Sequence, residues 1–432
     1  MKKNINPTPE LLNELLKRPT EAASELEPLV AQVFEEVAQK GDQAVAKYTE
    51  LFDGVHTIRY RVSEEEIATA TQRVPQGLKD SIRKAAANIE KFHRAQQTDR
   101  VQVETMPGVV CWQEKKPIEK VGLYIPGGTA PLFSTVLMLA IPAKVAGCKE
   151  VIICTPPGKD GSGVNPVILF TASLCGIEKI YQVGGVQAIA AMTLGTETIP
   201  AVYKIFGPGN QYVTAAKQWA TRYQVSIDMP AGPSELMVVA DTTAQPAYVA
   251  ADLLSQAEHG VDSQVILLST SEAFCDAVKQ EIDRQLPELP RKEIAAKAIA
   301  NSRMIVVDST GTLISVINEY GPEHLIIAAE NEQEISAAVS NAGSVFLGNY
   351  TPESAGDYAS GTNHTLPTNG YSRQYSGVNL DSFTKSITYQ KINEEGMMAL
   401  GPVIEEMAEA EGLYGHKNAV TLRLNDLKNS QR

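Results

Sequence analysis

The chain has 432 residues, 43% hydrophobic and 21% charged, with a formal net charge of −13. That length suits about three ordinary domains, and the composition is that of a globular protein. Net negative charge with no basic run argues against nucleic acid and anionic membrane as partners.

The opening residues, Met1-Lys2-Lys3-Asn4-Ile5-Asn6-Pro7, have lysines but no following apolar core, so no signal peptide is expected. Residues 8–54 and 77–98 are rich in Glu, Lys and Ala and are predicted helical, with breaks at Gly41-Asp42 and Phe52-Asp53-Gly54. The most apolar stretch, 136–143, is too short to span a bilayer and contains Pro142. From Val121 the texture changes to short β-branched runs alternating with helical patterns. Strands are predicted at 121–125, 151–154, 180–183, 202–206 and 225–229, with helices at 132–145, 167–174, 188–194 and 212–223 between them. That alternation indicates a parallel, doubly wound sheet with helices on both faces.

A second series follows, with strands at 236–240, 265–268, 304–307, 325–328 and 345–347. Helices are predicted at 246–260, 272–286, 292–301, 311–320 and 331–342. The expected fold is therefore α/β, with two Rossmann-like units, a helical N-terminal segment and a C-terminal tail. The expected boundaries are 1–120, packing on the second unit; 121–234; 235–380; and a helical tail, 381–432. No internal repeat is visible at the residue level. Residues 158–166 read as a surface loop.

The five cysteines, Cys111, Cys148, Cys154, Cys175 and Cys275, are odd in number and lack C-x₂-C spacing. Reduced thiols and a cytoplasmic location are expected.

Four polar clusters carry candidate chemistry. In Ser255-Gln256-Ala257-Glu258-His259-Gly260, Gln256 and His259 stand at i and i+3 near a helix end, with Gly260 as expected C-cap. An amide oxygen and an imidazole can there converge on one ion or substrate. Glu323 and His324, in Gly321-Pro322-Glu323-His324-Leu325, pair a general base with a proton shuttle at a helix-to-strand junction. The segment from Glu353 to His364 offers Asp357 as a carboxylate ligand and His364 as a substrate contact, or else a surface turn. The last cluster, Glu409-Ala410-Glu411-Gly412-Leu413-Tyr414-Gly415-His416, also reads as a helix end and cap. His56 and His93 lack such company. Gln256, His259, Asp357 and His416 together form an N/O donor set suited to Zn²⁺, Mn²⁺ or Co²⁺. The loops 124–131, 183–187 and 206–210 each follow a predicted strand of the first unit. They suit either a dinucleotide or simple tight turns, since no G-x-G-x-x-G occurs.

Long motifs, in order, carry a resemblance. Gly-Leu-Tyr-Ile-Pro-Gly-Gly at 122–128, Phe-Gly-Pro-Gly-Asn at 206–210, Met-Pro-Ala-Gly-Pro-Ser-Glu at 229–235, the 255–260 and 321–325 segments and the Gly-rich 353–368 resemble histidinol dehydrogenase. The likeness runs essentially the whole chain. It implies NAD⁺-dependent oxidation of L-histidinol to L-histidine through L-histidinaldehyde, the last steps of histidine biosynthesis, with one Zn²⁺ per subunit. It also implies metal ligands at Gln256, His259, Asp357 and His416, and acid/base roles for Glu323 and His324. Ser234, His364 and Glu411 are implied to touch substrate together with His324 and the ligands, and Tyr124, Gln187 and Asn210 to contact NAD⁺. The family is a homodimer whose tail reaches the neighbouring subunit, so Glu411 and His416 are expected to act in trans. The nearest rival is a related zinc and NAD⁺ dehydrogenase for another small primary alcohol. Glu411, His364 and Ser234 argue against it, because their charge and hydrogen bonds suit an amine and an imidazole. A metallohydrolase using the metal and Glu323 is disfavoured by the paired α/β units. A structural metal scaffold is disfavoured by the lack of thiolate ligands.

Overall fold

The computed structural model describes residues 1–18, 26–56, 59–127, 131–158 and 161–430. Parts of the expected helix 8–54 and of the loops 124–131 and 158–166 lie outside the described residues. Strand β1 (Lys2–Ile5) precedes α1 (Pro9–Leu15), which starts on Thr8, whose hydroxyl accepts the Leu11 N–H. Helices α2 (Glu27–Lys40), α3 (Asp42–Asp53), α4 (Glu64–Arg73) and α5 (Gln76–Arg94) follow, α4 opening on a Ser63–Glu66 capping box. Strands β2 (Val101–Met106) and β3 (Val109–Pro117) pair antiparallel around Gly108, whose φ of +79° lies in the left-handed region.

The first parallel sheet is built by β4 (Lys120–Tyr124), α6 (Phe133–Ala146), β5 (Glu150–Thr155), α7 (Pro166–Leu174) and β6 (Lys179–Gln182). It is completed by α8 (Gly185–Leu194), β7 (Lys204–Phe206), α9 (Gln211–Ala220) and β8 (Ser226–Ile227). Its order is β6-β5-β4-β7-β8. Residues alternate between two faces: Val121, Leu123 and Ile153 face one apolar cluster, and Tyr124, Ile152 and Cys154 face the other. Helices cover both.

The second sheet is built by β9 (Glu235–Ala240), α10 (Pro246–Ala257), β10 (Gln264–Ser269), α11 (Glu272–Gln285), α12 (Lys292–Asn301) and β11 (Arg303–Val306). It continues through α13 (Thr310–Tyr320), β12 (His324–Ala328), α14 (Glu332–Ala338) and β13 (Ser344–Leu347). Its order is β1-β11-β10-β9-β12-β13, so from its own first strand it repeats the order of the first sheet and adds β1 at one edge. Strands β9 and β10 are buried along their whole length, which is why they read as continuous apolar runs rather than alternating ones. A short helix, α15 (Glu353–Tyr358), follows. The tail comprises β14 (Thr384–Ile392), α16 (Glu394–Ala410) and α17 (Tyr414–Ser430).

The chain forms two compact units. One comprises Met1–Gln96 and Ile118–Phe383 and holds both parallel sheets; the other comprises Gln97–Pro117 and Thr384–Arg432. The smaller unit holds the antiparallel sheet β14-β3-β2 and the helical hairpin α16–α17.

Two expectations need correction. Residues 1–120 do not pack as one segment on the second unit. Helices α2 and α3 pack on α8 and the first sheet, and α4 and α5 lie on α7 and α6. Among the described residues of this segment, β1 and α1 with the turn after it join the second sheet, through the β1–β11 pairing and through Leu15 and Leu16. An amphipathic stripe shows that a helix is covered, not by which sheet. The tail is also not wholly helical, because β14 is an exposed nine-residue strand without apolar alternation. All five cysteines are free, and among the described residues no helix is long and apolar enough to cross a membrane.

Candidate active site

A cleft of about 1030 Å³ lies in the larger unit. Its wall takes loops from the C-terminal ends of β4, β6 and β7 and residues at the N-terminal ends of β9, β10 and β12. The first-sheet half follows the rule that doubly wound sheets bind ligands where strand order reverses, beyond the carboxyl ends. The second-sheet half does the opposite. There, α10 ends and α13 ends return the chain to strand N-termini, and those returns deliver Gln256, His259, Glu323 and His324.

In the first-sheet half the glycines permit close approach. Gly207 has φ +129°, and a Cβ there would overlap the Tyr124 carbonyl; Cβ atoms on Gly127 and Gly184 would both strike Pro156. The Gly207 loop is held by its N–H donating to Asp228 Oδ2 (2.7 Å) and its carbonyl accepting from Lys217 Nζ (2.8 Å). Lys217 and Asp228 form a buried ion pair that the sequence reading missed. Of the residues expected to meet NAD⁺, Tyr124 and Asn210 line the cleft. The Tyr124 hydroxyl accepts the Gly185 N–H (3.2 Å), and burial pushes its pKa up to about 12. Asn210 caps α9 by accepting the Val213 N–H (3.1 Å). Gln187 is fully buried behind the wall, donating to Asp53 (3.2 Å) and leaving its Oε1 without a protein partner. Gly128, Thr129 and Ala130 lie outside the described residues.

In the second-sheet half, α10 ends at Ala257 and continues as a right-handed turn through Glu258, so Gly260 is not the cap; the His259 N–H donates to the Gln256 carbonyl (3.2 Å). Gln256 is buried and His259 is exposed on the cleft wall. Gln256 Nε2 donates to the Glu235 carbonyl (3.2 Å), which leaves the Gln256 Oε1 buried without a partner. His324 Nδ1 lies 3.2 Å from that same Glu235 carbonyl and 3.2 Å from Gln256 Nε2; in the tautomer that donates to the carbonyl, Nε2 is the basic nitrogen. Nε2 has no hydrogen-bond partner and faces Asp357 Oδ1 at 3.4 Å. Glu323 Oε2 accepts the Glu235 N–H (2.8 Å) and lies 3.5 Å from His324 Nδ1.

One participant carried no assigned role in the sequence reading. Glu353 is buried, neither of its oxygens has a hydrogen-bond partner, and it lies 3.6 Å from His324 Nδ1. It stands four residues before Asp357 on α15, a spacing that could have signalled it. Burial alone would depress the His324 pKa, but the carboxylates of Glu353 and Glu323, with the Asp357 carboxylate facing Nε2, raise it well above its ordinary value. Asp357 is held low despite burial, chiefly by His324 with help from His364 and His259. Asp252, one turn before Gln256, is pushed up to about 7 by burial.

His364 Nδ1 donates to the Asp357 carbonyl (2.9 Å), so its Nε2 accepts from the Thr135 hydroxyl (3.1 Å). Burial pushes its pKa down and favours the neutral ring. Ser234 is half-buried on the cleft wall. Glu411 ends α16 and His416 lies in the first turn of α17; both are exposed and belong to the smaller unit.

The donor chemistry fits a divalent cation. The donor atoms of His324, Glu353 and Asp357 lie within 4.8 Å of one another, and Gln256, whose Oε1 has no partner, has its Nε2 3.2 Å from His324 Nδ1. Buried carboxylates in excess of buried cations call for compensating positive charge. Asp357 is common to this geometric trio and to the ligand set implied by the motifs.

A family model described as histidinol dehydrogenase matches residues 16–424. The chain belongs to the histidinol dehydrogenase family. A histidinol dehydrogenase of Bacteroides thetaiotaomicron is 58% identical over 98% of each chain. That of Aliivibrio fischeri is 51% identical over 96% of this chain and 94% of its own. The crystal structure of histidinol dehydrogenase from Elizabethkingia anophelis superposes with a TM-score of 0.96 at 56% identity, covering 99% of both chains. As a member of the histidinol dehydrogenase family, the protein is an oxidoreductase that oxidises histidinol in histidine biosynthesis.

Proposed function

We propose that the chain oxidises L-histidinol to L-histidine through L-histidinaldehyde, with NAD⁺ as hydride acceptor, one Zn²⁺ per subunit and a cytoplasmic homodimer as the working form. The observation that carries this reading is the cluster of His324, Glu353 and Asp357, with unpartnered donor atoms on Gln256, His324 and Glu353, beside three glycine loops of the cleft. NAD⁺ would accept a hydride in each step, and Tyr124, Gln187 and Asn210 are assigned to it. Zn²⁺ would be held by Gln256, His259, Asp357 and His416, and would supply a fixed pose for an amino-imidazole substrate.

In its neutral form His324 takes the alcohol proton on Nε2, the nitrogen that makes no protein hydrogen bond. The carboxylates on its Nδ1 side stabilise the imidazolium as it forms. Glu323 serves the aldehyde step by taking a proton from the attacking water. Ser234 and His364 orient substrate from the wall. The first test follows NADH by absorbance with L-histidinol and NAD⁺ supplied. About two NADH per histidinol are expected. One NADH, with aldehyde accumulating, would reject the second step.

Glu411 and His416 are assigned to the site of the partner subunit. Support comes from the smaller unit, whose α16 and α17 expose Val403, Met407, Tyr414 and Leu422, apolar side chains that gain from burial. Mixing inactive Gln256→Ala and His416→Ala subunits is expected to restore roughly a quarter of wild-type activity. In half the dimers, one site collects both lesions and the other none. Background activity from mixed dimers, verified with tagged chains, would place the tail in its own subunit's site.

A further inference from the structure

The three side chains assigned to acid/base work and metal binding share one backbone anchor. Glu235, the first residue of β9, donates its N–H to Glu323 and offers its carbonyl to Gln256 Nε2 and His324 Nδ1. A shift of this one residue would move all three groups together. The Glu235 side chain itself stays out of the cleft wall. Its buried carboxylate is gripped in a two-pronged pair by Arg18, through Nε and through Nη2 (2.9 Å), and Oε1 also accepts the Asn369 N–H (2.7 Å).

Arg18 does more than neutralise this carboxylate. Its Nη2 donates to the carbonyl of Tyr320 (2.8 Å), the last residue of α13, and its guanidinium stands 4.0 Å over the Tyr320 ring. The Tyr320 hydroxyl donates to Gln264 Oε1 (2.9 Å), and Gln264 Nε2 donates to the Lys17 carbonyl (2.9 Å), which closes the ring of contacts beside Arg18. Arg18 thus ties the start of β9 to the turn Gly321-Pro322 that leads into Glu323 and His324. A planar guanidinium presents a two-pronged fork to the carboxylate while stacking on the Tyr320 ring, a geometry that a compact ammonium does not reproduce.

We propose that Arg18 and Glu235 are positioning residues for the oxidation, an ion pair outside the cleft that sets the distance between the Glu323–His324 pair and Gln256. The inference rests on the roles proposed for those three residues. A misplacement of about 1 Å at reacting groups costs on the order of 10²-fold in rate.

The test compares Arg18→Lys, Arg18→Met and the apolar pair Arg18→Met/Glu235→Met, all in the full-length protein. The double variant removes both charges, so it folds without an unpaired buried carboxylate. Rates are taken per metal-loaded site, well below each variant's melting temperature. The expected kcat loss is about tenfold for Arg18→Lys and about 10²-fold for the other two, with the KM for NAD⁺ unchanged. Metal affinity is expected to fall about 10–100-fold, measured by chelator competition. A folded, metal-loaded double variant with wild-type kcat would overturn the inference, as would a lowered melting temperature alone. Glu323→Gln is run in parallel. If it is inactive while the double variant matches wild type, the anchor alone is wrong; full activity in both rejects the acid/base reading and the inference with it.

Discussion

Asp357→Ala is expected to purify without its metal and to oxidise histidinol about 10³-fold more slowly than wild type. Asp357 is mostly buried, it faces His324 Nε2 at 3.4 Å, and its pKa is held low, so it presents a charged oxygen across the working range. Losing it removes one carboxylate of the trio whose donor atoms lie within 4.8 Å of one another, and with it a proposed metal ligand. Lewis-acid and templating effects amount to several kcal/mol, and about 1.4 kcal/mol corresponds to tenfold in rate. Elemental analysis of the purified variant and initial NADH rates are the two measurements. Full metal occupancy together with an unchanged rate would remove Asp357 from the site.

Glu323→Gln should divide the two steps. The amide can still accept the Glu235 N–H, so the turn into β12 keeps its shape, but the group can no longer take a proton. General-base catalysis is worth about 10²–10⁴-fold, and only the aldehyde step needs an activated water. Oxidation of supplied L-histidinaldehyde is expected to fall by that amount, and the first hydride transfer from L-histidinol, read in a single turnover, by much less. Equal losses in both assays would assign Glu323 to a task common to the two steps.

The pattern of these residues shows where sequence reasoning reached and where it stopped. The ten strands from β4 to β13 were legible as short apolar or β-branched runs between helical patterns, continuous where the strand is buried as in β9 and β10. Strand β1 was not, since an edge strand is held by backbone bonds to β11 and needs no apolar side chains. Strands β2 and β14, the edges of their sheet, are largely exposed and mostly polar, and β3 between them is only half-buried, so none shows a clean apolar alternation. At the site, Gln256, Glu323, His324 and Asp357 stood out because each lies in a short polar motif. Glu235 and Glu353 lay inside quoted motifs without a role, and Arg18, Lys217 and Asp228 lay in none.

Local chemistry, read along the chain, determined the fold class, the glycine-bearing loops after β4, β6 and β7, and the family to which those motifs point. Helical and strand periodicity and turn residues act over a few positions, so they are written in contiguous sequence. Tertiary structure alone decided that α2 and α3 cover the first sheet and that the second sheet lines the cleft from its strand N-termini. It also decided that Glu235 anchors Gln256, Glu323 and His324 while Arg18, 217 residues away in sequence, secures Glu235. Such contacts depend on burial and on charge pairing across long separations. A buried carboxylate must find a cation wherever the fold brings one near, and no local pattern states which one that will be.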